Sequence, residues 1–162
     1  MKKTVKQLIG YQSLEGWWLK RQHFDAEVLA HIAERIRKSE SSHTGELVVA
    51  IEAISPKHED DPRVRALEVY GRLRVWDTPL NSGVLLYIAL DKRAIEIIAD
   101  RGISAAQTDW QQVCSALQAE FEHADYIQGL LNTVDHIERI LKLHAPAGDT
   151  SADVLANEPV LL

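Results

Sequence analysis

Apolar positions recur along this chain with two alternating periods. Behind Phe24, Asp25 stands as a helix N-cap, and Val28, Leu29, Ile32, Ala33 and Ile36 then return at helical spacing. Phe24 is placed to staple against Leu29, and Arg35, Arg37 and Lys38 gather near the helix end, where cations suit its dipole. After a turn-rich stretch over 39–45, Leu47-Val48-Val49-Ala50-Ile51 is an unbroken apolar run that predicts a strand buried on both faces. Asp61 followed by Pro62 opens a second helix, with Val64, Leu67, Tyr70 and Leu73 as its expected apolar face and Ala66 and Val69 beside them. Residues 84–90 have no polar interruption and predict the central strand. Asp91-Lys92-Arg93 turns the chain into an antiparallel partner over 94–99. Trp110, Val113, Cys114, Leu117 and Phe121 line a third helix, and Ile127, Leu130, Leu131, Val134, Ile137 and Leu141 a fourth. Thr108 with Gln111 and Asp125 with Gln128 have capping-box spacing.

The order helix, strand, helix, strand-hairpin, helix, helix predicts an α/β fold: a three-layer α/β/α sandwich around a small, Rossmann-like mixed sheet with a β-hairpin and flanking helices. We place the domain at residues 25–145, behind a leader at 1–24 and ahead of a tail at 146–162, whose Pro, Gly, Asp, Ser and Ala residues predict flexibility. The leader carries Trp17 and Trp18 beside Lys20 and Arg21. Such a segment suits a lipid surface, but interfacial helices carry a longer cationic face, so we expect a short helix that docks its tryptophans onto the domain.

Composition narrows the function. At 162 residues the chain is about one domain long, and 46% hydrophobic residues are enough to build a core. A net charge of −6 with no basic stripe excludes a general nucleic-acid binder. The single cysteine, Cys114, excludes an internal disulfide framework, and it sits on an apolar helix face, which predicts an inert thiol. The seven histidines show no metal spacing. No stretch is long and apolar enough to span a membrane, and the N-terminus lacks a signal-peptide core, so the expected location is the cytoplasm. Phosphate-cradling glycine loops and the Gly-x-Ser-x-Gly elbow are missing from the sequence.

Three runs together carry a resemblance: Thr44-Gly45-Glu46 entering a buried strand, Asn81-Ser82-Gly83-Val84-Leu85-Leu86 opening the next, and Asp91-Lys92-Arg93 at the hairpin. In this order and spacing they resemble a TPM domain, the family of the thylakoid lumen and photosystem II repair protein. Val75-Trp76-Asp77 and the closing Pro-Val-Leu-Leu resemble a bacterial branch without a membrane anchor. The resemblance covers roughly residues 25–145. It implies a Rossmann-like fold, an acidic cleft, divalent-cation binding in some members and a phosphatase activity in a plant relative. Typical members are exported and anchored by a transmembrane helix, whereas here we expect a membrane-associated protein only as a partner. This sequence departs from the family in having Asp100-Arg101-Gly102 where most members have a Gly-aromatic-Gly turn.

Strand direction sorts the candidate residues. With 47–54 parallel to 84–90 and 94–99 antiparallel, Glu46, Asn81, Ser82 and Asp100 emerge at one sheet edge. Asp91, Arg93 and the loop His58-Glu59-Asp60-Asp61 emerge at the other. The first edge gathers hard oxygen ligands of the kind Ca²⁺ and Mg²⁺ prefer. We therefore expect Glu46, Asp77 and Asp100 as metal ligands, and Asn81, Ser82 and Arg101 as contacts to a bound group. Each has an ordinary alternative: a solvated strand start for Glu46, an Asp100–Arg101 pair, and turn chemistry for Asn81. The function expected is a binding or accessory module with a cation-responsive acidic cleft. A weak metal-dependent phosphoester hydrolase at the same cleft is the alternative.

Overall fold

The computed structural model describes residues 5–150 and 154–162, with side chains from Leu14 onward. Strand β1 (Glu46–Glu52) and strand β2 (Gly83–Ala89) run parallel, from Glu46 opposite Gly83 to Glu52 opposite Ala89, and every residue of both is buried. Strand β3 (Ala94–Ala99) turns back antiparallel on β2, so the crossover and hairpin read from the sequence are both present. A fourth strand, β4 (Val160–Leu161), pairs parallel with the other side of β1, giving the order β3-β2-β1-β4.

Helices cover both faces of the sheet, as the apolar runs require. On one face Leu47, Val49, Ile51, Val84, Leu86 and Ile88 join α2 (Ala26–Glu40), α4 (Gln107–Glu122) and α5 (Tyr126–His144) in the larger core. On the other, Val48, Ala50, Leu85 and Tyr87 pack with Ala66 and Val69 of α3 (Pro62–Arg72) and with Leu155 and Leu162 of the tail. Asp25 and Asp61 cap their helices as predicted: Val28 N–H donates to Asp25 at 2.9 Å and Arg63 N–H to Asp61 at 2.8 Å. Phe24 and Leu29 are buried in the same core.

Four expectations about the helices are corrected. The buried face of α3 is Arg65, Ala66 and Val69, while Val64 and Leu67 are exposed, because the helix is rotated to bring the Arg65 guanidinium onto Glu52. Helix α4 begins before Thr108: Ala106 is the N-cap, and Asp109 reaches back to the Ala106 N–H at 3.0 Å. Asp125 is the N-cap of α5, but its side chain makes no capping bond. The leader is a helix, α1 (Val5–His23), seated through Gly16 and Leu19, yet Trp17 and Trp18 stand 49% and 55% exposed instead of docking. A Cβ at Gly16 would lie 2.0 Å from the Ala53 carbonyl oxygen, so the helix approaches the sheet as closely as a backbone can.

The tail departs most from the sequence reading. Instead of hanging free, it returns along the α3 face, adds β4, and closes with the Leu162 N–H donating to the Ile51 carbonyl at 2.9 Å.

Gly83 has no room for a side chain, since a Cβ there would meet the Val75 carbonyl oxygen at 1.9 Å. Gly83→Ala should therefore lower stability by about 1–3 kcal/mol, the usual cost of overpacking, as read from the urea midpoint at unchanged slope.

Candidate functional site

The site grows out of the register at the edge where β1 and β2 begin. Glu46 opposes Gly83, and on the far side the Asp100 N–H donates to the Gly83 carbonyl at 2.9 Å. Alternation along each strand puts the Glu46 and Asp100 side chains on the α3 face with Val48 and Ile98. The backbones of Glu46 and Asp100 thus flank Gly83 two strand spacings apart, about 10 Å, and the Val75 carbonyl sits over the glycine between them.

Glu46 is 5% exposed, and its Oε2 accepts main-chain N–H bonds from Val154 at 3.2 Å and Leu155 at 2.6 Å. The tail therefore satisfies a carboxylate that would otherwise be costly to bury. Asp100 accepts the Arg101 N–H on Oδ1 at 2.7 Å, while its Oδ2 is buried without a hydrogen bond of good geometry. The Tyr70 hydroxyl lies against this carboxylate. Burial first, then the Asp100 charge, holds the phenol proton well above its ordinary range.

The remaining predicted residues are used locally. Ser82 is buried, donating from N to the Thr78 hydroxyl at 2.8 Å and from Oγ to the Thr44 carbonyl at 2.7 Å. Asn81 has φ 52°, a left-handed turn that suits asparagine, and its carbonyl accepts the Gly102 N–H at 2.8 Å. Arg101 is exposed. Asp77 is exposed too, and it pairs with Arg74 at 2.7 Å instead of joining Glu46 and Asp100. Among the described residues no three His, Cys, Asp or Glu side chains converge as a metal-holding group. The structure brings Glu46 and Asp100 to one face and leaves Asp77 and Arg101 at the surface.

The opposite edge is electrostatically closed. Glu52, 4% exposed, receives Arg65 at 3.0 and 2.7 Å and the Tyr87 hydroxyl. Arg65 continues to Glu68 at 2.9 Å, and His58 meets the same Glu68 carboxylate at 3.1 Å. The Arg65 hydrogen bond, then that of His58, holds the Glu68 carboxyl below the usual range. Asp91 accepts from the Ser55 N–H at 2.8 Å and hydroxyl at 2.7 Å, and Arg93 reaches Glu15 of α1.

Sequence reasoning missed a buried pair under the larger core. The Gly45 N–H donates to His43 Nδ1 at 3.2 Å, which leaves the proton on Nε2 to donate to Glu138. Both side chains are 3% exposed. The signal was present: Glu138 stands among Val134, Ile137 and Leu141 on the apolar stripe of α5. A cavity of about 400 Å³ lies beneath α1, lined among others by Leu19, Ile88, Phe121 and Tyr126, with Glu15 and Arg93 also on its wall.

The sequence pattern of the TPM domain family matches residues 20–140. No curated protein matches the chain. Among solved structures, BA42 from the psychrophilic bacterium Bizionia argentinensis is 29% identical at a TM-score of 0.75, over 86% of this chain and 97% of that one. An N-terminal domain from P. gingivalis shares the fold at 18% identity and a TM-score of 0.62, over 79% of this chain and 84% of its own. The N-terminal domain of cg2496 from Corynebacterium glutamicum shares it at 11% identity and a TM-score of 0.56, over 82% and 78%.

Two outcomes test this geometry. Glu46→Ala removes the acceptor of two tail amides and should cost roughly 2 kcal/mol, with hydrogen exchange at Val154 and Leu155 rising more than exchange in β2. Burial pushes the Cys114 thiol up to about 11. Its alkylation at pH 8 should run on the order of a hundredfold slower than that of a free cysteine, by mass spectrometry of the intact protein.

Proposed function

This chain belongs to the TPM domain family, and we propose that it works as a binding module whose Glu46–Asp100 face takes up a divalent cation, Ca²⁺ or Mg²⁺, in service of a membrane-associated protein partner. The observation that supports the reading is Asp100 Oδ2, a buried carboxylate oxygen without a good hydrogen bond. The Tyr70 hydroxyl lies against this carboxylate and the Arg101 N–H donates to it, which leaves acceptor capacity for a cation on the face that Asp100 shares with Glu46. The Val75 carbonyl over Gly83 adds a neutral hard oxygen to the same rim. Glu46 joins such a site by exchanging its tail amides for the ion, so cation uptake and release of residues 154–155 are coupled in this reading.

Asn81, Ser82 and Arg101 border the rim. The first two act by holding the turn that carries Gly83, and Arg101, exposed at the surface, is left to meet an anionic group on the partner. Phosphoester hydrolysis at the same place is the second reading, and it requires the ion to activate a water held against a substrate phosphate.

Melting temperature measured against Ca²⁺ and Mg²⁺ should rise with ion concentration as mass action requires, and the rise should vanish in Asp100→Asn and shrink in Glu46→Gln. No shift with either ion would sink the cation site. Turnover of a phosphoester that depends on the ion and is lost in Asp100→Asn would replace the binding reading with the hydrolytic one.

A further inference from the structure

Helix α1 is apolar on two sides. Its inward side, with Gly16 and Leu19, is seated on the fold. Its outward side carries Leu14, Trp17, Trp18 and Arg21, residues at i, i+3, i+4 and i+7, which is one stripe of a helix. Leu14 is 69% exposed, and the two tryptophans are half exposed. The Arg21 guanidinium lies 5.4 Å from the Trp17 ring centre, so the stripe ends on a cation held against an aromatic face.

Charge indicates what covers this stripe. Residues 1–23 hold five Lys and Arg (Lys2, Lys3, Lys6, Lys20 and Arg21) against one acid, Glu15, in a chain whose net charge is −6. That lone acid turns away from the stripe and pairs with Arg93 of the β2–β3 turn. The outward side of α1 is therefore a strip of tryptophan and leucine next to cations, on a protein that is otherwise acidic. A protein groove that accepts a helix needs apolar shape and no fixed charge sign. An anionic bilayer surface supplies an apolar boundary, a headgroup depth at which tryptophan is favoured, and negative charge.

We propose that the outward face of α1 is a docking surface for anionic lipid, laying Trp17 and Trp18 into the headgroup region while Lys20 and Arg21 meet lipid phosphates. The helix lies in the plane of the membrane and does not cross it, consistent with no described helix being long and apolar enough to span one. The inference stands apart from the cation site, which uses a different face of the domain.

The test is flotation of the full chain with phosphatidylcholine vesicles in which phosphatidylglycerol makes up about a third of the lipid, beside vesicles of phosphatidylcholine alone. Binding should appear with the anionic vesicles, fall as salt is raised, and be lost in Trp17→Ser/Trp18→Ser. Both positions are half exposed, so the variant should keep its melting temperature. Lys20→Gln/Arg21→Gln should weaken binding roughly thirtyfold, at about fivefold per cation near an anionic surface. Failure of the intact chain to float with anionic vesicles overturns the proposal. So does equal binding to both vesicle types, or unaltered binding by the tryptophan variant. Concentration-dependent dimerisation abolished by Trp17→Ser/Trp18→Ser, without vesicle binding, would reassign the face to a second copy of the chain.

Discussion

Burying β1 along its whole length also buries the two carboxylates at its ends, and much of the structure answers that cost. Glu46 and Glu52 fall on the same face because they stand six positions apart along the strand, an even number. A buried carboxylate is tolerated only when donors are brought to it. At Glu52 the donors are the Arg65 fork and the Tyr87 hydroxyl, and they fix the rotation of α3. At Glu46 they are two main-chain amides, and they fix the course of the tail. The covering elements of this face are placed by charge as much as by apolar area. The larger core repeats the logic on its own side, where the Leu47 N–H donates to Glu40 at 3.2 Å and His43 meets Glu138.

The elements themselves were legible because period and capping are local. Seven apolar residues in 84–90, Pro62 behind Asp61, and the three-residue turn at 91–93 each have one good structural solution, and the strand directions follow from them. What stayed hidden depends on partners far along the chain. Counting apolar residues put Val64 and Leu67 inward on α3. The deciding contact is Arg65 to Glu52, which no period within the helix records. The tail reads as flexible from its composition, and it is ordered by an acceptor more than a hundred residues earlier. Thr108 resembles a cap, yet Asp109, one residue on, makes the reciprocal bond from inside the first turn.

The candidate site was half legible for the same reason. That Glu46 and Asp100 share an edge follows from strand direction, and that they share a face follows from alternation once the register is known. Asp77 could have been set aside from the sequence, because Arg74 stands three residues before it on the same turn. The Val75 carbonyl resting on Gly83 could not, since close approach of two backbones leaves only a glycine as its trace.

The two ends of the sheet differ in what they leave unspent. In an open parallel sheet the strand carboxyl ends are the usual ligand edge. Here that edge is closed by Glu52, Arg65, Tyr87 and Glu68, with Asp91 committed to Ser55. At the other edge the closure is a strap of two amides and a two-residue strand, and one carboxylate oxygen keeps no good partner. Short, lightly bonded segments open at lower free energy than core strands. A ligand drawing on the Glu46 charge competes with the strap directly, and by linkage whatever lifts the strap strengthens that ligand by the same factor. In the proposed cation reading, the order of residues 154–162 and the uptake of an ion would be one equilibrium, because both draw on the Glu46 carboxylate.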